Sequence, residues 1–232
     1  IPSFSVGRTQ EIVHVLHQMW LRDELPRIPI YVDSPLAVNA TEIFRRHPEC
    51  FDKETRELIL DSESMDAFGF QNLIYIQDVE ESKRLNTSEE PCMIISASGM
   101  CEAGRILHHL RYKIHNPKNT VLIVGYMANH TLGRRILDQG TAYAESGRKT
   151  EPPIVKILNK EYPLKARVVK IGGFSAHGDR NEMIRFLKQS NLKVKRIAVV
   201  HGEEDQSLAF ADFLNSEGFD AMVPRVGETV TV

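Results

Sequence analysis

Apolar positions along this chain change their period repeatedly. Short runs rich in Val, Ile and Tyr, each bounded by Pro, Asp, Ser or Gly, alternate with longer stretches whose apolar residues recur every three to four positions. The runs RIPIYVDS (27–34), LIYIQD (73–78), PCMIISAS (91–98) and TVLIVGY (120–126) predict strands. Between them TQEIVHVLHQMW (9–20), AVNATEIFRRH (37–47), GRILHHLRYKI (104–114) and LGRRILDQG (132–140) have helical spacing. Such alternation predicts an α/β domain with a largely parallel sheet and right-handed crossovers.

The texture then changes. From about Gly140 to Phe174 the helical period is lost, and PPIVKILNKEYPLKARVVKIGGF predicts two or three strands joined by turns. Beyond it RNEMIRFLKQS and QSLAFADFLNSEG predict helices flanking a strand, RIAVVHG, with a last strand in DAMVPRV. The expectation is an α/β unit up to about residue 140, then a smaller piece that is first β and then α/β. No internal repeat or low-complexity tract interrupts it.

Composition narrows the class. With 232 residues, 42% of them hydrophobic, the chain can bury one large core or two modest ones. Cys50, Cys92 and Cys101 are too few and too scattered for a disulfide framework and form no CxxC pair, so a reducing cytoplasmic setting is expected. No apolar run approaches the roughly 18 residues of a membrane span, and the first residues carry neither the basic region nor the apolar stretch of a signal peptide. The absence of an initiator methionine before IPSF suggests a piece of a longer protein.

A formal charge of -2 gives no bulk drive toward nucleic acid or anionic membrane, so any phosphate binding must be local. Its distribution is uneven. Residues 41 to 90 lean acidic and read as a solvated face, whereas Ala103 to Leu137 holds no Asp or Glu. In that acid-free stretch Arg105, Arg111, Lys113, Lys118, Arg134 and Arg135 lie among four histidines, so a solvated face and a polyanion-facing surface are both open readings.

Candidate chemistry gathers where strands are expected to end, since ligands of open α/β sheets bind beyond the carboxyl ends of strands. SFSVGRTQE, VDSPLAVNA, SASGMCEAGR and GGFSAHGD each bring small polar residues or glycine to a strand end or a helix start. Each suits phosphate oxygens, although each alone is also an ordinary helix cap. His177 in FSAHGD and His201 in AVVHGEED both follow apolar strands, so neighbouring strand ends could bring the two rings together. With Asp179, Glu203, Glu204 and Asp205 nearby they could form part of a metal or acid/base site. A complete zinc site needs more, because catalytic zinc takes about three protein ligands and no HxH, HExxH or HxHxDH is present. His108 and His109 are adjacent on a helix and point about 100° apart. His14 and His17 share one helical face whose apolar neighbours favour simple packing.

IPSFSVGRTQEI, YVDSPLAVNATEIFRRHPE, ISASGMCEAGRILHHL, GGFSAHGD and VVHGEED, in this order, resemble the β-CASP branch of the metallo-β-lactamase fold. These are RNA-processing nucleases, and DSPLA and RRHPE are most similar to the bacterial RNA-specific type. The resemblance implies a β-CASP domain over 1–140 and, over 150–232, the returning C-terminal part of a metallo-β-lactamase αββα domain with its RNA-metabolising metallo-hydrolase segment. It implies that His177 acts near the scissile phosphate as proton donor or phosphate stabiliser and that His201 is a zinc ligand. It further implies that Ser175 contacts RNA phosphate and that Arg8, Ser98 and Gly99 line the RNA channel, with Arg105 adding a charged contact.

The implied reaction is hydrolysis of RNA phosphodiester bonds by two zinc ions in an intact protein, in mRNA processing or decay. The family's HxHxDH cluster and acidic motif are missing, so this chain alone is expected to bind zinc weakly or not at all, to be inactive, and to form homodimers through apolar surface left uncovered. The rival reading is a non-catalytic α/β module binding nucleotide or nucleic-acid phosphate, with both histidines structural. A third is a hydrolase of the same fold acting on DNA or a small phosphodiester.

Overall fold

A computed structural model describes residues 1–61, 65–174 and 178–229. The chain divides into two compact units, Ile1–Ser175 and Ala176–Val232. The α/β architecture expected from the alternation is the one adopted.

In the first unit β1 (Ile30–Asp33) lies between β2 (Leu73–Ile76) and β3 (Met93–Ile95), all parallel, with Ile30 opposite Leu73 and Met93. Pro2 bridges Ser96 in parallel, so the first residues run along the β3 edge. A second parallel pair joins β4 (Thr120–Ile123) to β7 (Arg167–Lys170), and β5 (Ile154–Ile157) forms an antiparallel hairpin with β6 (Lys160–Pro163). The helices are α1 (Arg8–Leu21), α2 (Pro35–Arg46), α3 (Lys53–Asp61), α4 (Val79–Thr87), α5 (Arg105–Lys113) and α6 (Leu132–Glu145).

Local chemistry sets several helix starts. The Ser34 hydroxyl accepts the Ala37 N–H at 3.3 Å ahead of Pro35, and the Thr131 hydroxyl accepts that of Arg134 at 3.1 Å. One hydrophobic core collects Ile12, Val13, Ile30, Val32 and Ile95 beneath α1 and the three-stranded sheet. Another packs Ile106 and Leu110 of α5 and Ile136 of α6 against Ile123, Ile157 and Leu164. Residues 154–170 therefore share a core with α5 and α6.

Two differences from the sequence pattern have physical causes. α6 continues through Gly140 to Glu145, because Gly140 is packing surface and not a helix stop. A Cβ there would lie 2.3 Å from the Val168 Cγ2. The acidic region also contains α3 and α4, whose few apolar positions hid their period; α4 is started by the Asp78 carboxylate accepting the Glu81 N–H at 2.9 Å.

In the second unit α7 (Arg180–Gln189) and α8 (Glu204–Ser216) accompany β8 (Ile197–Ala198) and β9 (Ala221–Met222), which pair in parallel. Asp179 and Glu182 close a reciprocal capping box at the start of α7. The core is small, with Ala211, Leu214 and Ala221 buried and Ile184, Leu187, Ile197 and Phe210 partly so. The strands expected in RIAVVHG and DAMVPRV are realised as two-residue ladders.

Candidate functional site

In the first unit the loops that follow β1 and β3 meet the turn that precedes α1. Ser5 and Ser34 share a hydroxyl–hydroxyl hydrogen bond of 3.1 Å. Beneath them the buried Gln10 amide donates to the Ser5 carbonyl at 3.1 Å and to the Thr41 hydroxyl at 2.9 Å. The Ser3 N–H donates to the Ser96 carbonyl at 3.0 Å. Gly99 lies so close to Phe4 that a Cβ would fall 2.8 Å from its ring. SFSVGRTQE, VDSPLA and SASG thus form one loop cluster.

The fourth segment begins beside it. The Arg8 guanidinium carbon stands 5.6 Å above the Phe174 ring, and Arg8 also pairs with Glu11. Ser175 and His177, the next residues singled out, lie outside the described residues.

Hydroxyl donor capacity remains in this cluster at Ser98 and at one member of the Ser5–Ser34 pair. Ser98 Oγ accepts the N–H groups of Glu102 at 3.1 Å and Ala103 at 3.3 Å, which folds the loop back and leaves its O–H free to donate. The same loop needs Gly104 at φ +78°, where a Cβ would lie 2.4 Å from the Ala97 carbonyl oxygen. That carbonyl accepts the Ile106 N–H at 3.0 Å and seats the start of α5.

Arg105, expected to contact phosphate, is held within the chain by two partners. Its Nη1 donates to Asp33 Oδ1 at 2.6 Å, and its Nη2 to the Gln77 carbonyl at 2.6 Å. Asp33 is 0% exposed, and its Oδ2 accepts from Ser82 Oγ and from His109 Nε2, both at 2.6 Å. Ser96 Oγ donates to the Asp33 carbonyl at 2.8 Å, which ties the end of β1 to the loop after β3. Burial pushes the Asp33 carboxyl up, but hydrogen bonds from His109, Ser82 and Arg105 outweigh it and hold the group below its ordinary value. Asp33 is therefore a hub that fixes β1, β2, α4, α5 and the loop after β3.

This hub was missed by sequence reasoning, although signals existed. Asp33 interrupts an apolar strand, and Arg105 and His109 are four residues apart, which places them on one helical face. Of the adjacent pair on α5, His109 is buried and His108 exposed, as the angle between neighbouring helical positions requires. His17 is buried in packing, its Nδ1 3.1 Å from the Ala67 carbonyl and its ring stacked on Phe70.

In the second unit His201 is exposed at φ 63° between β8 and α8. Asp179, a possible partner, is engaged as a cap, its Oδ1 accepting the Asn181 and Glu182 N–H groups at 2.8 Å. Glu204 and Asp205 sit in the first turn of α8, where carboxylates stabilise a helix. Among the described residues no group of three or more His, Cys, Asp or Glu side chains is placed to hold a metal ion. No helix among them is long and apolar enough to cross a membrane.

Comparison with known proteins gives two family matches, the Beta-Casp domain over residues 9–136 and the Zn-dependent metallo-hydrolase RNA specificity domain over 161–224. Ribonuclease TTHA0252 of Thermus thermophilus is 36% identical over 232 residues, covering 100% of this chain and 49% of that protein. Transcription termination factor FttA of Methanocaldococcus jannaschii is 33% identical over 213 residues, 91% of this chain and 32% of the factor. An RNase J-like protein of the same organism is 34% identical over 211 residues, 91% of this chain and 44% of that protein. The chain spans half or less of the length of these curated relatives.

Proposed function

The chain belongs to the β-CASP family of metallo-β-lactamase-fold nucleases, and on that premise we propose that it supplies the RNA-gripping loops and part of the catalytic centre of a zinc-dependent ribonuclease. The observation that carries this reading is the seating of Arg8 over Phe174, which brings the start of FSAHGD against the serine-bearing loop cluster. Convergent hydroxyl donors and a guanidinium at strand ends suit the non-bridging oxygens of a phosphodiester. The matches at 9–136 and 161–224 support a β-CASP domain over 1–140 and a returning metallo-hydrolase segment over 150–232.

In this reading one O–H of the Ser5–Ser34 pair, the O–H of Ser98 and the Arg8 guanidinium hold successive phosphates, with Gly99 keeping the loop low enough for close approach. Ser175 donates to the phosphate at the scissile bond. Water adds to phosphorus and releases a proton to solvent, the bond from phosphorus to the ribose oxygen breaks, and the departing oxygen takes a proton from His177. Arg105 serves the site by clamping Asp33. The described residues do not compose a zinc site, so His201 is assigned as one imidazole ligand of a centre completed by the rest of a longer protein. The name of the matched RNA specificity domain supports zinc, and the names of the relatives support RNA as substrate. A reducing cytoplasm suits the free Cys50, Cys92 and Cys101, the last with its thiol pushed up to about 12 by burial. Exposed Phe186 and Leu192 in the second unit support self-association of the isolated chain.

The test is to give single-stranded RNA and zinc to this chain and to the longer protein that contains it. The chain alone is expected to bind RNA in a salt-dependent manner without cutting it, and the longer protein to cut. In the longer protein His177→Ala should lower turnover at least a hundredfold with zinc content unchanged, and His201→Ala should lower both. Zinc-dependent cleavage by the chain alone would overturn the assignment, as would His201→Ala with unchanged zinc content and rate.

A further inference from the structure

Resting on the reading that RNA is the ligand, we propose that the amino ends of β4 and β7 carry a second RNA-backbone contact surface, separate from the loop cluster. Residues 103–175 hold thirteen Lys and Arg against four Asp and Glu, in a chain whose formal charge is -2. The structure commits some of these cations and leaves others exposed. Arg105 is committed to Asp33, Arg134 to Asp138 and Lys113 to the Ser88 carbonyl. Lys118, Lys149, Lys165 and Arg167 are exposed and have no carboxylate partner among the described residues.

Backbone geometry brings this second group together from three separate segments. The Lys165 N–H donates to the Ile114 carbonyl at 3.1 Å, and the Arg167 N–H to the Asn119 carbonyl at 2.8 Å, so both border the turn that carries His115 and Lys118. Thr120 and Arg167 are paired as the first residues of β4 and β7. Arg148 Nη1 donates to the Lys165 carbonyl at 3.0 Å, and its guanidinium carbon lies 5.4 Å over the Tyr143 ring, which fixes the turn bearing Lys149. Like charges gathered in excess repel one another, and a polyanion relieves that repulsion while releasing its own counterions.

Two features favour a phosphodiester backbone over an acidic protein. Protein interfaces are depleted of lysine at their centre and anchored by large apolar side chains. Residues 115–119 and 146–151 carry lysine and no large apolar side chain. The patch is also placed apart from the site. β7 runs from Arg167 toward Gly172 and Phe174, and at roughly 3.3 Å per residue its four residues set about 13 Å of strand between the two surfaces. A long single strand could engage both, a short one only one.

The experiment compares the chain with its Lys118→Glu/Lys149→Glu/Lys165→Glu variant, measuring anisotropy of a 30-nucleotide and a labelled 2-nucleotide single-stranded RNA across salt concentrations. At about 0.7 in log–log slope per phosphate contact, the triple variant should lose roughly two from the slope for the long RNA. Its affinity for the long RNA should fall at least tenfold at low salt and stay within twofold for the short one. The corresponding Lys→Gln variant should fall between the two proteins, which separates charge loss from misfolding. An unchanged slope in a chain that still binds RNA would overturn this inference and leave the proposed function standing. Failure of the unmodified chain to bind either RNA would sink that function itself. Equal loss on both RNAs would merge the patch with the loop cluster, and tighter patch-dependent binding of polyglutamate of matched charge would reassign it to acidic proteins; either result overturns the proposal.

Discussion

The two units solve the same problem, holding a strand-end loop in place, with unequal means. In Ile1–Ser175 the loops after β1 and β3 are fixed from beneath by a fully buried carboxylate and its three side-chain donors, over cores that contain Ile30, Val32, Ile95 and Ile123. In Ala176–Val232 the loop bearing His201 follows a two-residue strand, over a core of three buried residues, while Phe186 is 65% and Leu192 61% exposed. A loop whose polar groups have buried partners is preorganised; one on a thin core opens locally at lower free energy. The difference teaches that the proposed phosphate grip is built into this chain, whereas the loop bearing His201 has no comparable support among the described residues.

The most damaging way to break that contrast is to remove the hub. Asp33→Ala leaves the partly buried Arg105 and the buried His109 beside a missing charge, which should cost about 3–5 kcal/mol. Urea unfolding followed by hydrogen exchange should place that loss in the first unit and leave protection of α7 and α8 unaltered. Acid acts on the same group. Because the native Asp33 carboxyl lies below its ordinary value of 3.8, its contribution is complete above that pH and is lost as pH falls through the lower native value. The first unit of Asp33→Ala should therefore show a weaker acid transition than the unmodified chain, measured by circular dichroism.

A smaller effect is expected from Gly140→Ala, whose Cβ meets Val168 on β7. Overpacking should cost about 1–3 kcal/mol even though alanine favours a helix, and a stabilised variant would show that the α6–β7 contact is looser than drawn. Smallest is Asp179→Ala, which removes the capping box of α7 and should cost about 1 kcal/mol, confined to the second unit. An equal loss of protection around Asp33 would erase the distinction between the units.

Much of the fold was legible because β1 to β4 and α1, α2, α5 and α6 have clean periods. What escaped the pattern had identifiable reasons. α3 and α4 contain too few apolar residues to declare a period, and Gly140 signals a stop by its type but serves as a contact surface. At the candidate site, segments with small polar residues or glycine at strand ends were legible as candidates, since parallel strands deliver their carboxyl ends to one side. The partners of Asp33 were not, because Ser82, Arg105 and His109 come from helices far apart in sequence. Arg105 reads as a free cation in a list of charges and as a structural clamp once Asp33 is placed beside it.

The central claim is that one loop cluster of this chain grips RNA phosphate. Its most direct test is the salt dependence of single-stranded RNA binding by the chain and by Arg8→Ala/Ser98→Ala. The variant should bind at least tenfold more weakly at low salt and lose about 0.7 of log–log slope for the missing guanidinium, with its circular dichroism spectrum that of a folded protein. Identical affinity and slope in the two proteins would contradict the account.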